Sequence, residues 1–181
     1  CGPGNALMDF WCALHTGASY DDGGRWAAQG HVVQPMLSAM LADPYFQQRP
    51  PKSTGRDLFN RPWLEQHLLA TLAARAQDVQ ATLAELTARA CADDVQRHAP
   101  ELDRLIVCGG GALNGHLMHR LQALLPGVPV RSSAESGLPP LQVEATAFAW
   151  LARQCLRGET LPLESTTGAR GARVLGAVWP A

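Results

Sequence analysis

The sequence predicts a helix-rich α/β domain, and three observations carry that reading. Leu105-Ile106-Val107 runs straight into Cys108-Gly109-Gly110-Gly111, and an amphipathic run follows from Leu117 to Leu125, the pattern of strand, tight turn and helix. A second short strand is expected at Val128-Pro129-Val130-Arg131-Ser132. Elsewhere apolar residues recur three and four positions apart, the period of a helix face.

The 181 residues suffice for one good-sized domain or two small ones, and a hydrophobic fraction of 46% supplies a core. A net charge of −1 gives no electrostatic basis for binding nucleic acid or an anionic membrane surface. No apolar stretch is long enough to span a bilayer. The five cysteines (Cys1, Cys12, Cys91, Cys108 and Cys155) are scattered and form no Cys-x-x-Cys pair, which points to a reducing compartment and away from disulfides or a zinc site. The N-terminus has no initiator methionine and reads as the middle of a strand-to-helix junction, so the chain is expected to be a piece of a longer protein.

Taken in order, Gly2-Pro3-Gly4-Asn5 is a turn by composition, followed by a helix with Leu7, Met8, Trp11 and Leu14 on one face and Asp9 on the other. Such a turn feeding a helix is a second place where backbone amides can meet phosphate, although most such turns merely reverse the chain. Tyr20-Asp21-Asp22-Gly23-Gly24 is a polar loop whose aspartates can ligand a metal but are more simply solvated. The stripe Val33, Met36, Leu37, Met40, Leu41 predicts a core-facing helix from about Gly30 to Ala42, with Pro35 in its first turn or kinking it and Asp43-Pro44 ending it. Pro50-Pro51-Lys52-Ser53-Thr54-Gly55-Arg56-Asp57 is stiff, polar and cationic. It can present Lys52 and Ser53 to a sugar or phosphate, or be a plain surface loop with Arg56 paired to Asp57 or Glu65.

Helices are then expected from Pro62 to Arg75 and from an N-cap at Asp78 to about His98, the second with a solvated polar face and Pro100 as its stop. The last clear helix begins near Val143 or Glu144, and Ala145, Phe148, Ala149, Ala152, Cys155 and Leu156 make a stripe suited to close packing on a sheet. Glu144 sits in its first turn, where the helix dipole favours a carboxylate, so capping is one role open to it. A Gly/Arg loop at 166–173 leads into an apolar tail.

The glycine run is the chemical signal. Glycine admits positive φ and close ligand approach, and a following helix N-terminus offers free N–H groups to phosphate. The P-loop pattern Gly-x-x-x-x-Gly-Lys-Ser/Thr is absent, and the dinucleotide fingerprint would need glycine where Asn114 stands. No acidic residue ends the 128–132 strand, although Arg131, Ser132 and Ser133 can receive a 2′-phosphate, so an NADP-binding oxidoreductase domain is a rival reading, as is a nucleotide-binding module without catalysis. His116 and His119 lie three apart but no third metal ligand is signalled, and no Gly-x-Ser-x-Gly or Cys–His pair supports a hydrolase.

A linked set of strings covers essentially the whole chain in order: Gly2-Pro3-Gly4-Asn5 with Leu7-Met8-Asp9, Trp26-Ala27-Ala28-Gln29-Gly30, Ala42-Asp43-Pro44-Tyr45-Phe46, Pro50-Pro51-Lys52-Ser53-Thr54-Gly55-Arg56, Cys108-Gly109-Gly110-Gly111-Ala112 with Asn114, Glu144-Ala145 with Ala147-Phe148-Ala149-Trp150-Leu151-Ala152, and Arg173-Val174-Leu175-Gly176-Ala177. Together they resemble the C-terminal part of the anhydro-N-acetylmuramic acid kinase family, within the sugar kinase, Hsp70 and actin superfamily.

The resemblance implies that residues 1–181 form the C-terminal, nucleotide- and sugar-binding lobe of an actin-like (ribonuclease H-like) fold, incomplete at its N-terminus. It implies ATP and Mg²⁺ as cofactors and phosphorylation of 1,6-anhydro-N-acetylmuramic acid with hydrolytic ring opening, a cytoplasmic step of peptidoglycan recycling. Gly109, Gly110, Gly111 and Asn114 would line the nucleotide, Gly2, Gly4 and Asn5 would lie near its phosphates, and Glu144 would hold the sugar. The partners implied are the anhydro-amino sugar, the N-terminal lobe and a second copy in a homodimer. The catalytic aspartate would lie in the N-terminal lobe, leaving this fragment inactive. Leu138-Pro139-Pro140-Leu141-Gln142 departs from the acidic and glycine residues usual in relatives, and Ala172 stands where a proline is common.

Overall fold

The computed structural model describes residues 2–69 and 73–179. Its organising element is one long helix, α4, over Ala76–His98. Val79, Leu83, Ala84, Leu86, Ala88 and Ala92 are buried along it, and so are the polar Gln80, Thr82 and Glu85. A helix buried on so much of its circumference must lie at the centre of its domain. The others wrap it: α1 (Ala6–Thr16), α2 (Gln34–Leu41) and α5 (Gly115–Leu124) pack directly on α4, while α3 (Arg61–Leu68) packs on α1 and α2. Each core side chain such as Leu64, Leu83 or Leu86 contributes about 1.5–3 kcal/mol by leaving water.

The expected solvated polar face of α4 is therefore a misreading. Glu85 is buried because it accepts hydrogen bonds from Arg89 one turn on and from Arg120 of α5, at 2.9 and 2.7 Å. Burial alone would push its carboxyl up, but these two guanidiniums outweigh it and hold the group below its ordinary range. Thr82 Oγ1 donates to the Asp78 carbonyl and accepts from the Val33 amide. Asp78 is not the N-cap: Arg75 holds that position, and the Asp78 carboxylate accepts from Arg75 and from the His31 amide, which draws it well below the usual carboxylate range.

The strands are short. β1 (Leu105–Val107) and β2 (Val130–Ser132) pair in parallel, Leu105 opposite Val130 and Val107 opposite Ser132, with α5 as the crossover. Methionines 36 and 40 are buried as the α2 stripe requires, with Pro35 in its first turn. That helix starts four residues later than expected because Gly30 passes over the α4 N-terminus, where an added Cβ would overlap the Gln77 carbonyl. Of the helix expected from Pro62 to Arg75, α3 forms the first part and residues 70–72 lie outside the described residues.

α6 (Val143–Leu156) begins where expected, but its stripe does not lie on the sheet. Phe148 and Leu156 are exposed, and the stripe lines a groove together with the tail at Leu175–Trp179. The physical reason is the size of the sheet. Two three-residue strands offer too little surface to cover a fourteen-residue helix. A four-residue helix, α7 (Glu164–Thr167), precedes the tail. No described helix is long and apolar enough to cross a membrane.

Candidate nucleotide site

The glycine run follows β1 as expected, but a 3-10 turn over Gly110–Leu113 intervenes before α5. Gly109 supplies φ 70°, a left-handed value that only glycine adopts without strain. Its N–H donates to the Pro140 carbonyl at 3.0 Å, so the 138–142 segment serves as the backrest of the turn. Nothing stands within 4 Å of where a Gly109 side chain would begin, leaving that approach open. Gly110 and Gly111 open the 3-10 turn, and the first N–H groups of a helical turn have no partner within it. That is the donor arrangement phosphate needs.

Asn114 is the N-cap of α5, its Oδ1 accepting from the Leu117 amide at 3.0 Å. Asn5, at the start of α1, reaches the same turn: an added Cβ on Gly110 would lie 3.0 Å from Asn5 Nδ2. The two turns singled out in the sequence thus meet. Between them opens a cavity of about 330 Å³ lined by Asn5, Asp9, Tyr20, Gly110, Asn114 and Leu141, among others. The polar loop 20–24 forms its third wall. Asp21 accepts from the amides of Trp26 and Ala27 and so shapes the loop, whereas Asp22 is exposed, as expected, and faces Arg25 at the surface.

Gly24 closes the loop onto α5. It adopts φ 72°, and a Cβ there would overlap the Asn114 side chain and sit 2.6 Å from His116 Cβ.

The other predicted residues lie outside this cavity. Gly4 has φ 56° and its carbonyl accepts from Thr87, 2.9 Å away on α4, while Gly2 packs against Ala90 and Phe46; both line a neighbouring groove along β1 that they share with Asn5, Gly110 and Gly111. Lys52 is not a free donor: its ammonium is buried, 3.2 Å from Asp94 and stacked over Tyr45. It fastens the 50–57 loop to α4. Ser53 is exposed on that loop. Arg56 does not pair with Glu65, which is taken by Arg61, but its charge acts on Asp9. Glu144 is exposed in the first turn of α6, outside the cavity lining.

Among the described residues no three His, Cys, Asp or Glu side chains converge on a metal site. His116 is half-buried, and burial together with Arg120 pushes it below its usual range; His119 is exposed. Of the residues that would receive a 2′-phosphate, Arg131 lies 3.7 Å from Glu135, Ser132 caps its own turn, and Ser133 is buried.

Several cavity residues escaped the sequence reading, Asp9 and Leu141 among them. Asp9 is four positions after Asn5, spacing that puts both on one helix face, and that was the available signal. Leu141 carried none, since only the fold brings it over the turn.

The sequence model of the family described as Anhydro-N-acetylmuramic acid kinase matches residues 1–181. Relatives bearing that name include those of Variovorax paradoxus (62% identical over 181 residues, all of this chain and 48% of the relative) and Albidiferax ferrireducens (60%, all of this chain and 46% of the relative). A third, from Pseudomonas putida, is 54% identical over 182 residues, covering all of this chain and half of the relative. The chain spans about half the length of the curated relatives it matches.

Proposed function

Because the chain belongs to the anhydro-N-acetylmuramic acid kinase family, we propose that residues 1–181 are the C-terminal half of a two-lobed, actin-like kinase that binds ATP at the Gly109–Gly111 turn. The whole protein phosphorylates 1,6-anhydro-N-acetylmuramic acid while water opens the anhydro ring, giving N-acetylmuramic acid 6-phosphate. Its setting is the cytoplasmic recycling of peptidoglycan. The observation that carries this reading is the convergence of two glycine turns, through Asn5 and Gly110, beside one cavity.

The residues present fit a nucleotide: an open approach at Gly109, free donors at the start of the 3-10 turn, and apolar cavity walls beside them. ATP would supply the phosphoryl group, and Mg²⁺, when bound with it, would neutralise the charge on its phosphates. What this chain does is position. Gly109 is fixed by Pro140, Asn114 orders the α5 N-terminus, and Asn5 stands where the first turn meets the second.

Phosphoryl transfer depends on groups held together in one geometry, so half a cleft should be inert. The full-length protein is expected to release ADP in the presence of ATP and the anhydro-sugar, while residues 1–181 alone give none. Turnover by residues 1–181 alone would place the base among them and overturn the division of roles.

Glu144 is proposed to hold the sugar from its exposed place on α6. In full-length Glu144→Gln, loss of a charge-assisted hydrogen bond of about 1.5–3 kcal/mol lowers kcat/KM for the sugar roughly tenfold to a hundredfold. The KM for ATP moves little. Normal sugar kinetics with a small stability loss would leave Glu144 as a helix-dipole partner only.

A further inference from the structure

Asp9 stands apart from the other acids of the cavity. Asp21 and Asp22 are spent on backbone amides and on Arg25, whereas among the described residues no donor is hydrogen-bonded to the Asp9 carboxylate. It is half-buried at the cavity wall, on the α1 face that carries Asn5. Burial raises its pKa, an effect only partly offset by the charge of Arg56. Leaving a carboxylate partly desolvated and without donors is costly, and a ligand that brings donors removes the cost.

A second, independent feature faces the same space. Tyr20, Leu113 and Leu141 are among the most exposed large hydrophobic side chains, at 59%, 57% and 67%, and all three rim this cavity. Met8 forms part of its lining from below. An apolar rim over a carboxylate without donors suits a ring that offers a flat or hydrophobic face on one side and hydroxyl groups on its edge.

We propose that the cavity between α1, the 20–24 loop and the glycine turn seats a hydroxylated ring, with Asp9 accepting hydrogen bonds from its hydroxyls and Tyr20, Leu113 and Leu141 covering its face. Two rings in the reaction carry that chemistry, the ribose of the nucleotide and the pyranose of the amino sugar. This inference rests on the proposed kinase reading, since it takes its two candidate ligands from there.

The test is done on the full-length protein, titrating ADP and the anhydro-sugar separately by calorimetry. Asp9→Asn keeps the size but replaces one acceptor oxygen with a donor amide, so the ring's ligand should bind roughly tenfold or more weaker. The other ligand should stay within about twofold. Weakened ADP identifies the ribose; weakened sugar identifies the pyranose. Unchanged affinity for both, or equal loss for both together with a lower Tm, overturns the proposal. Leu141→Gln, at an exposed position that folding does not depend on, should weaken the same ligand as Asp9→Asn, and weakening of the opposite one also overturns it. A parallel Gly110→Val protein separates this from the kinase reading: ADP binding that survives there removes the glycine-turn site whatever Asp9 does.

Discussion

Gly110→Val in the full-length protein is expected to raise the KM for ATP strongly while the sugar's KM stays near its original value. The first added carbon would already stand 3.0 Å from Asn5 Nδ2, tighter than ordinary contact but against a side-chain end that can give way. The two further methyls of valine then occupy the space beside the 3-10 turn where phosphate must approach. Forcing extra carbons into a close-packed space costs about 1–3 kcal/mol, which corresponds to roughly a tenfold to hundredfold weaker complex. Steady-state kinetics in both substrates checks it, with Gly110→Ala as an intermediate step that meets Asn5 but fills less of the approach. An unchanged KM for ATP in a folded Gly110→Val protein would mean that the nucleotide does not use this turn.

The largest stability effect is expected at Gly24. Alanine there must adopt φ 72°, a left-handed value costing about 1–2 kcal/mol, and its Cβ overlaps the side chain of Asn114. Asn114 cannot yield without surrendering the Leu117 amide it caps, a loss of about 0.5–2 kcal/mol. The Tm of Gly24→Ala should fall by roughly 5–10 °C, and ADP affinity should fall with it because the start of α5 shifts. Gly127→Ala is the control: its Cβ meets nothing within 4 Å, and its Tm should be unaltered. Equal thermal stability of the two variants would show that the 20–24 loop does not bear on α5.

Local chemistry was legible in the sequence. The period of Met36, Leu37 and Met40 marked α2, the Gly-rich run after Leu105–Val107 marked a turn, and the start of α6 was placed near Val143 or Glu144. Partners distant in sequence were not. Lys52 read as a free cation because Asp94, which neutralises it, lies 42 residues away. Glu85 read as a surface acid because Arg120 approaches from another helix. Asp78 has the composition of an N-cap, yet the amide it serves belongs to His31 rather than to its own helix. The cavity itself joins residues 5–9, 20–23, 110–114 and 141, four stretches whose meeting no local pattern encodes.

The hydrogen bond from Gly109 to Pro140 has a consequence for how the two substrates would sense each other. Pro140 lies four residues before Glu144, with only the short turn at 140–142 between them. If Glu144 takes up the sugar, any shift of the α6 start pulls on the carbonyl that anchors the nucleotide turn. Moving one end alone would strand a peptide N–H without an acceptor, so the two ends are cheaper to move together. Occupancy of either end then favours the arrangement the other requires, and by reciprocity each substrate should tighten the binding of its companion by the same factor.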